Sequence, residues 1–275
     1  MKSYKVKTQD QLSLHVQKWN ENIETKASLF IVHGLGEHQN RYAHMAEFYC
    51  SNGFQVYSYD QRGHGKSEGK RGHSPGLKFN LNDLKDVLKT IGVKKLFLFG
   101  HSFGGNVLAN FILRNKLLSF KGIILSAPWL MLSETPSLFD RILAKTMNII
   151  YPSFTKDKNI DPTSISTITS SQELYKNDPL NHNRISARLF CEFFESGLWA
   201  LKNAKMLKIQ TLIVHGDKDD VISKNGSILF AKNSLGKAKY KIFKNTKHEI
   251  HNDIRQKELF LFIMKWMDKQ LISLS

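Results

Sequence analysis

The stretch FGHSFGGN (Phe99–Asn106) sets Ser102 between Gly100 and Gly104, directly after the apolar run KKLFLF and directly before a helical pattern. A serine on so tight a strand–turn–helix junction has its hydroxyl exposed at the strand end, on a strained backbone. Small neighbours two residues to either side let the helix pack close to the strand. The chemistry of such a serine is nucleophilic attack on an acyl carbon. A five-letter G-x-S-x-G pattern alone is weak, and a merely packing glycine-rich turn competes with it; the strand before and the helix after give it weight.

A serine hydroxyl needs a base, and the base needs an orienting acid. With this kind of elbow the chain order is serine, acid, histidine. After TLIVHG comes DKDD, which offers Asp217, Asp219 and Asp220 at a strand end. After KYKIF comes KNTKHEIHND, which offers His248 and His251. The oxyanion of a tetrahedral intermediate needs two donors. One is the backbone N–H of the residue after the serine, Phe103. The candidate for the other is the N–H of Leu35, in the turn HGLG that follows SLFIV, with a plain turn as the competing reading.

These loops must be carried by a sheet. Apolar runs read as strands are Leu12–Trp19, Ser28–His33, Phe54–Asp60, Lys95–Gly100, Gly122–Ala127, Thr211–Gly216 and Lys239–Phe243. Helical patterns stand at Arg41–Asn52, Asn80–Ile91, Asn106–Asn115 and Asp253–Leu271. Their alternation predicts a mostly parallel α/β sheet with helices on both faces, whose sites lie at the carboxyl ends of the strands. The interval between Ala127 and Thr211 is far longer than a simple crossover needs. It predicts an inserted, largely helical subdomain over residues 128–206, with the core formed by 1–127 and 207–275. Its apolar segments Ser137–Ile150 and Ala187–Ala204 read either as a small core or as the lining of a greasy channel.

The 275 residues suffice for one large domain with an insertion, and 41% hydrophobic and 11% aromatic content excludes a disordered chain. The longest apolar run, LFLFIM (Leu259–Met264), falls far short of the roughly 18 residues of a membrane span. The start MKSYKVKTQDQ has no apolar core, so no secretory signal is expected. Cys50 and Cys191 read as reduced thiols, and the expected location is cytoplasmic. The 40 Lys and Arg against 24 Asp and Glu give a net charge of +16. The lysines are scattered, and GKAKYKIFKNTK reads as a sheet-edge strand with one wet face. Weak peripheral contact with an anionic membrane is the minority reading of that charge, and nothing points to nucleic acid. The histidines show no ligand spacing, so no metal and no cofactor are expected. Oligomeric state is not readable from these residues.

Taken together, HGLGEHQNRY, GFQVYSYDQRGHGKSEG, GHSFGGN, HGDKDD and KHEIHND resemble the monoacylglycerol lipase and lysophospholipase branch of the α/β-hydrolases, grouped with serine aminopeptidase sequences. The resemblance spans His33 to Asp253. It implies an α/β-hydrolase fold with a helical cap, with Ser102 as nucleophile, His248 as base and Asp219 as acid. Asp219 is chosen over its neighbours by the HG-x-x-D pattern, and His248 over His251 because the family histidine opens H-E-x-x-(N/H). Leu35 and Phe103 are implied as oxyanion donors. Phenylalanine stands at 103 where methionine is usual, which would alter the pocket wall. Glu37 and Arg41 are implied as binders of a polar head group, although a Glu–Arg pair four apart also ties down a helix start. Asp60-Gln61-Arg62-Gly63-His64-Gly65 resembles a structural loop of the family, and Asp178-Pro179-Leu180 a cap segment. The implied activity is hydrolysis of a single-chain lipid ester. A small-ester hydrolase or peptidase on the same triad, or a non-catalytic binding protein of the same fold, are the alternatives.

Overall fold

The computed structural model describes residues 1–19, 24–115, 119–157 and 161–272. Strands β1 (Lys2–Lys7), β2 (Ser13–Trp19) and β3 (Ala27–Val32) lead to helix α1 (Ala43–Ser51), β4 (Phe54–Tyr59) and α2 (Leu77–Ile91). Then come β5 (Leu96–His101), α3 (Ser102–Arg114) and β6 (Gly122–Ser126). Residues 128–206 carry α4 (Leu138–Ile150), β7 (Thr155–Asp157), α5 (Pro162–Ile165), α6 (Thr169–Asn177), β8 (Arg184–Ser186) and α7 (Ala187–Asn203). The chain closes with β9 (Thr211–Gly216), α8 (Lys224–Asn233), β10 (Ala238–Phe243) and α9 (Gln256–Ile272).

The large sheet has the order β1-β2-β4-β3-β5-β6-β9-β10. β1 and β2 pair antiparallel, as do β2 and β4; every other neighbour is parallel. The parallel strands β3, β4, β5, β6 and β9 are buried along their whole length, as their unbroken apolar runs require when helices cover both faces. One face packs on Met45 and Tyr49 of α1 and Leu259, Ile263 and Met267 of α9. The other packs on Leu84 of α2, Val107 and Phe111 of α3, Phe193 of α7 and Phe230 of α8. The chain leaves β3 towards β4 on one side and returns to β5 on the other. The carboxyl ends of β3 and β5 therefore flank a topological switch point, where an open α/β sheet leaves a crevice.

The expected strands are present, and several elements differ from the expectation. β1 lies ahead of the first expected strand: of KSYKVK only Val6 is buried, so the segment carries almost no apolar signal. α3 begins at Ser102 and not at Asn106, and α8 adds a helix where none was read. β10 is the sheet edge, but it lacks a clean wet face: Tyr240 is exposed, while Lys241 is half-buried with its ammonium over the rings of Phe243 and Phe262. Within 128–206, α7 packs on α3 and α8, whereas α4 has no buried residue. None of the described helices is long and apolar enough to cross a membrane. Cys50 and Cys191 are unbridged.

Candidate active site

Ser102 is the first residue of α3 and has φ +51°, the left-handed region that side-chain-bearing residues avoid. The junction depends on its glycines. A Cβ on Gly100 would stand 2.6 Å from the Gly104 carbonyl oxygen and 2.7 Å from Leu108 Cδ1. One on Gly104 would collide with the carbonyls of Val32 and His33. Both positions bring backbone against backbone, which only glycine permits. Ser102 lines a narrow cavity of about 50 Å³ together with Leu35, Glu37, His248 and Glu249.

The geometry separates the candidate acids and bases. Asp219 Oδ2 accepts from His248 Nδ1–H at 2.7 Å, and Asp219 Oδ1 accepts the backbone N–H groups of Val221 and Ile222, both at 2.9 Å. His215 Nε2 lies 3.0 Å from Oδ2. Burial alone would push the Asp219 carboxyl up. The charge of His248 and the hydrogen bonds from His215 and His248 override it and hold the carboxyl far below the usual range. Burial likewise opposes charge on His248, but Asp219, then Glu249 and Glu37, raise its pKa above the ordinary value. With Nδ1 committed to Asp219, Nε2 is the nitrogen left to take a proton. Asp220 is exposed, and His251 lies fully buried against the ring of Tyr42, 4.6 Å between centroids. Neither lines the cavity.

The Leu35 turn is pinned from both sides. The Gly34 N–H donates to Glu37 Oε1 at 2.5 Å, and the His182 N–H donates to the Gly36 carbonyl at 2.8 Å. His38 Nε2 meets Asp178 Oδ2 at 2.8 Å, so the Asp178–His182 segment straps over this turn. The Phe103 N–H belongs to the first turn of α3, where amides have no intrahelical acceptor. Its ring does not wall the cavity, contrary to the expectation. It is fully buried on Phe193 of α7, 4.4 Å between centroids, because the helix direction turns it under α7. The Asp60–Gly65 loop braces its surroundings as expected. Asp60 Oδ1 accepts from the Gln39 N–H at 2.9 Å, and Arg62 makes two 2.6 Å bonds to Asp83.

Glu37 and Arg41 form part of a larger buried network. Arg41 Nη2 donates to Glu249 Oε2 at 2.5 Å, its Nε stands 3.6 Å from Glu37 Oε2, and Tyr42 Oη–H donates to Glu37 Oε1 at 2.7 Å. Two carboxylates thus share one guanidinium. Burial and the Glu249 charge push Glu37 up to about 7, against the pull of Arg41. Glu37 lines the cavity and Arg41 does not, so Arg41 reaches the site through the two carboxylates. Glu249 went unassigned in the sequence, although it stands beside His248 in the same H-E motif; Trp129 and Tyr175 also line the cavity without having been flagged. Among the described residues, Glu37, His101 and Glu249 bring ligand atoms within 4.8 Å of one another. Arg41 already pairs with both carboxylates, and His101 Nδ1 bonds the Ser126 carbonyl at 3.1 Å.

The family described as serine aminopeptidase, S33 (Hydrolase_4) matches residues 23–255. The chain belongs to that family. It is 30% identical over 268 residues to an uncharacterised abhydrolase domain-containing protein of Dictyostelium discoideum, covering 96% of this chain but only 28% of that protein. It is 26% identical to the monoacylglycerol lipase of Mycolicibacterium smegmatis, covering 92% of each chain. The crystal structure of Paleococcus ferrophilus monoacylglycerol lipase superimposes with a TM-score of 0.86 at 30% identity, over 94% of this chain and 99% of that one. The fold is that of an α/β-hydrolase.

Proposed function

We propose that the protein is a serine esterase acting on a single-chain lipid ester, a monoacylglycerol or a lysophospholipid. His248 Nε2 takes the Ser102 Oγ proton as Oγ bonds the ester carbonyl carbon. The resulting oxyanion accepts hydrogen bonds from the Leu35 and Phe103 N–H groups. Collapse breaks the carbon–alkoxide bond, and the imidazolium returns the proton to the leaving alcohol. Water then repeats the cycle on the acyl-enzyme and releases the fatty acid. Asp219 holds the imidazole tautomer and stabilises its charged form. Glu37 and Glu249, fixed by Arg41, are the polar groups at hand for head-group hydroxyls.

The lipid assignment is carried by one observation. The Ser102 cavity shares Leu132, Ile185 and Val221 with an adjoining groove of about 1100 Å³. Leu143 and Met147 of α4, Phe154, and Phe190 of α7 give this groove an apolar wall. On this reading residues 128–206 form a cap that shelters the acyl chain. The protein works from the cytoplasm at an anionic membrane surface. The exposed Phe139, Ile142, Ile149 and Ile150 of α4 and the net charge of +16 would make that contact. The serine aminopeptidase description of the family supplies the second reading, hydrolysis of an aminoacyl amide.

A substrate panel separates the two readings: a long-chain monoacylglycerol, a lysophospholipid, an acetate ester and an aminoacyl anilide. Faster turnover of a lipid ester, lost on filling the groove with Met147→Trp while acetate turnover persists, is the expected result. Preference for the anilide, or an unchanged chain-length profile in Met147→Trp, overturns the lipid assignment.

A further inference from the structure

We propose that His215 and Ser227 are positioning residues for the reaction, extending the Asp219–His248 pair by two members into α8. This rests on the assignment of Ser102, His248 and Asp219 given above. His215 lies within β9, in the run TLIVHG, and is fully buried. A buried imidazole must find partners for both nitrogens. Its Nε2 stands 3.0 Å from Asp219 Oδ2 and 3.1 Å from the Ile222 carbonyl; its Nδ1 stands 2.8 Å from Ser227 Oγ, also fully buried.

These distances fix the tautomer. Two acceptors face Nε2, so a lone pair there would meet oxygen on both sides; the proton belongs on Nε2. Nδ1 is then the acceptor, and the Ser227 hydroxyl donates to it. Ser227 thereby holds His215 in the form that can donate to Asp219. Four N–H-bearing groups then surround the Asp219 carboxylate: Val221 and Ile222 N–H bonded to Oδ1, His248 bonded to Oδ2, and His215 Nε2 held 3.0 Å from Oδ2. The carboxylate cannot rotate away from His248 without breaking charge-assisted bonds. The second bond of His215, to Ile222, pins the same loop that presents Asp219. Nothing in this chain of contacts reaches the substrate, so its loss should weaken turnover and leave binding alone.

The test compares His215→Leu, His215→Gln and Ser227→Ala with the wild type. The readouts are kcat and KM on a p-nitrophenyl ester, the rate of fluorophosphonate labelling, and the melting temperature. In His215→Leu, kcat and labelling should fall about tenfold or more, about 1.4 kcal/mol, with KM nearly unchanged. His215→Gln places an amide N–H at the reach of Nε2 and should restore most of the loss. Ser227→Ala should lie between them. A His215→Leu protein with wild-type kcat, or a Gln variant no better than Leu, overturns the proposal. Should His215→Leu not fold, Ser227→Ala decides: a reduced kcat at unchanged KM supports the proposal, and an unchanged kcat overturns it. A wild type that does not label overturns the serine mechanism and this proposal with it, whereas a labelled wild type with unaffected variants overturns this proposal alone.

Discussion

Replacing Ser102 by glycine should stabilise the protein while abolishing its activity. At φ +51°, Ser102 occupies a conformation that costs a residue with a Cβ roughly 1–2 kcal/mol. Glycine adopts it freely, but loses more chain entropy on folding, about 0.5–1 kcal/mol in a helix or strand. The net gain for Ser102→Gly is thus about 0.5–1 kcal/mol. Ser102→Ala keeps the Cβ and so keeps the strain, which makes it the control. Both variants lack the hydroxyl, so loss of chemistry is common to the two and drops out of the comparison. Urea denaturation gives the stability difference, and a thermal melt should show Ser102→Gly roughly 1–3 °C above Ser102→Ala for a domain of this size. A Ser102→Gly protein no more stable than Ser102→Ala would refute the claim that the elbow stores strain.

In the proposed mechanism the charges around His248 set the pH dependence of the reaction. Its pKa is raised and its neutral form is required, so kcat/KM falls as pH drops through that raised value; Glu249→Gln removes one of the charges that raise it and should move the acid limb to lower pH, as a pH–rate profile will show. Arg41→Met leaves Glu37 and Glu249 buried without a counter-charge, at about 3–5 kcal/mol. Glu37, already pushed up to about 7, can escape by protonation, so denaturant melts should show the larger loss above pH 7 and the smaller below it. Phe193→Ala opens a void against Phe103 and should cost about 3–5 kcal/mol in urea unfolding; a loss under 1 kcal/mol would contradict the packing described between α3 and α7.

Much of the fold was legible because parallel strands buried on both faces leave unbroken apolar runs such as SLFIV and GIILS. β1 escaped because an edge strand buries little, and in KSYKVK only Val6 is buried, with Tyr4 half-buried beside it. The sequence places the start of α3 four residues late because Gly104 and Gly105 argue against a helix, whereas in the structure they admit the backbone of β3 and Pro128. The choice of Asp219 among three aspartates was legible only by resemblance; the structure supplies its physical reason, in two backbone amides and two imidazoles converging on one carboxylate. Glu249 could not be paired from the sequence, since its partner Arg41 is 208 positions away. The proposed role of His215 is hidden by its place inside an apolar strand, where a histidine reads as core.

The central claim is that Ser102 is the nucleophile, activated by His248. The most direct measurement is to label the protein with a fluorophosphonate, digest it, and locate the adduct by mass spectrometry, with Ser102→Ala and His248→Ala alongside. Phosphonylation on the peptide carrying Ser102, absent in Ser102→Ala and strongly slowed in His248→Ala, is the predicted result. An adduct on another residue, or labelling that His248→Ala leaves unchanged, would contradict the mechanism.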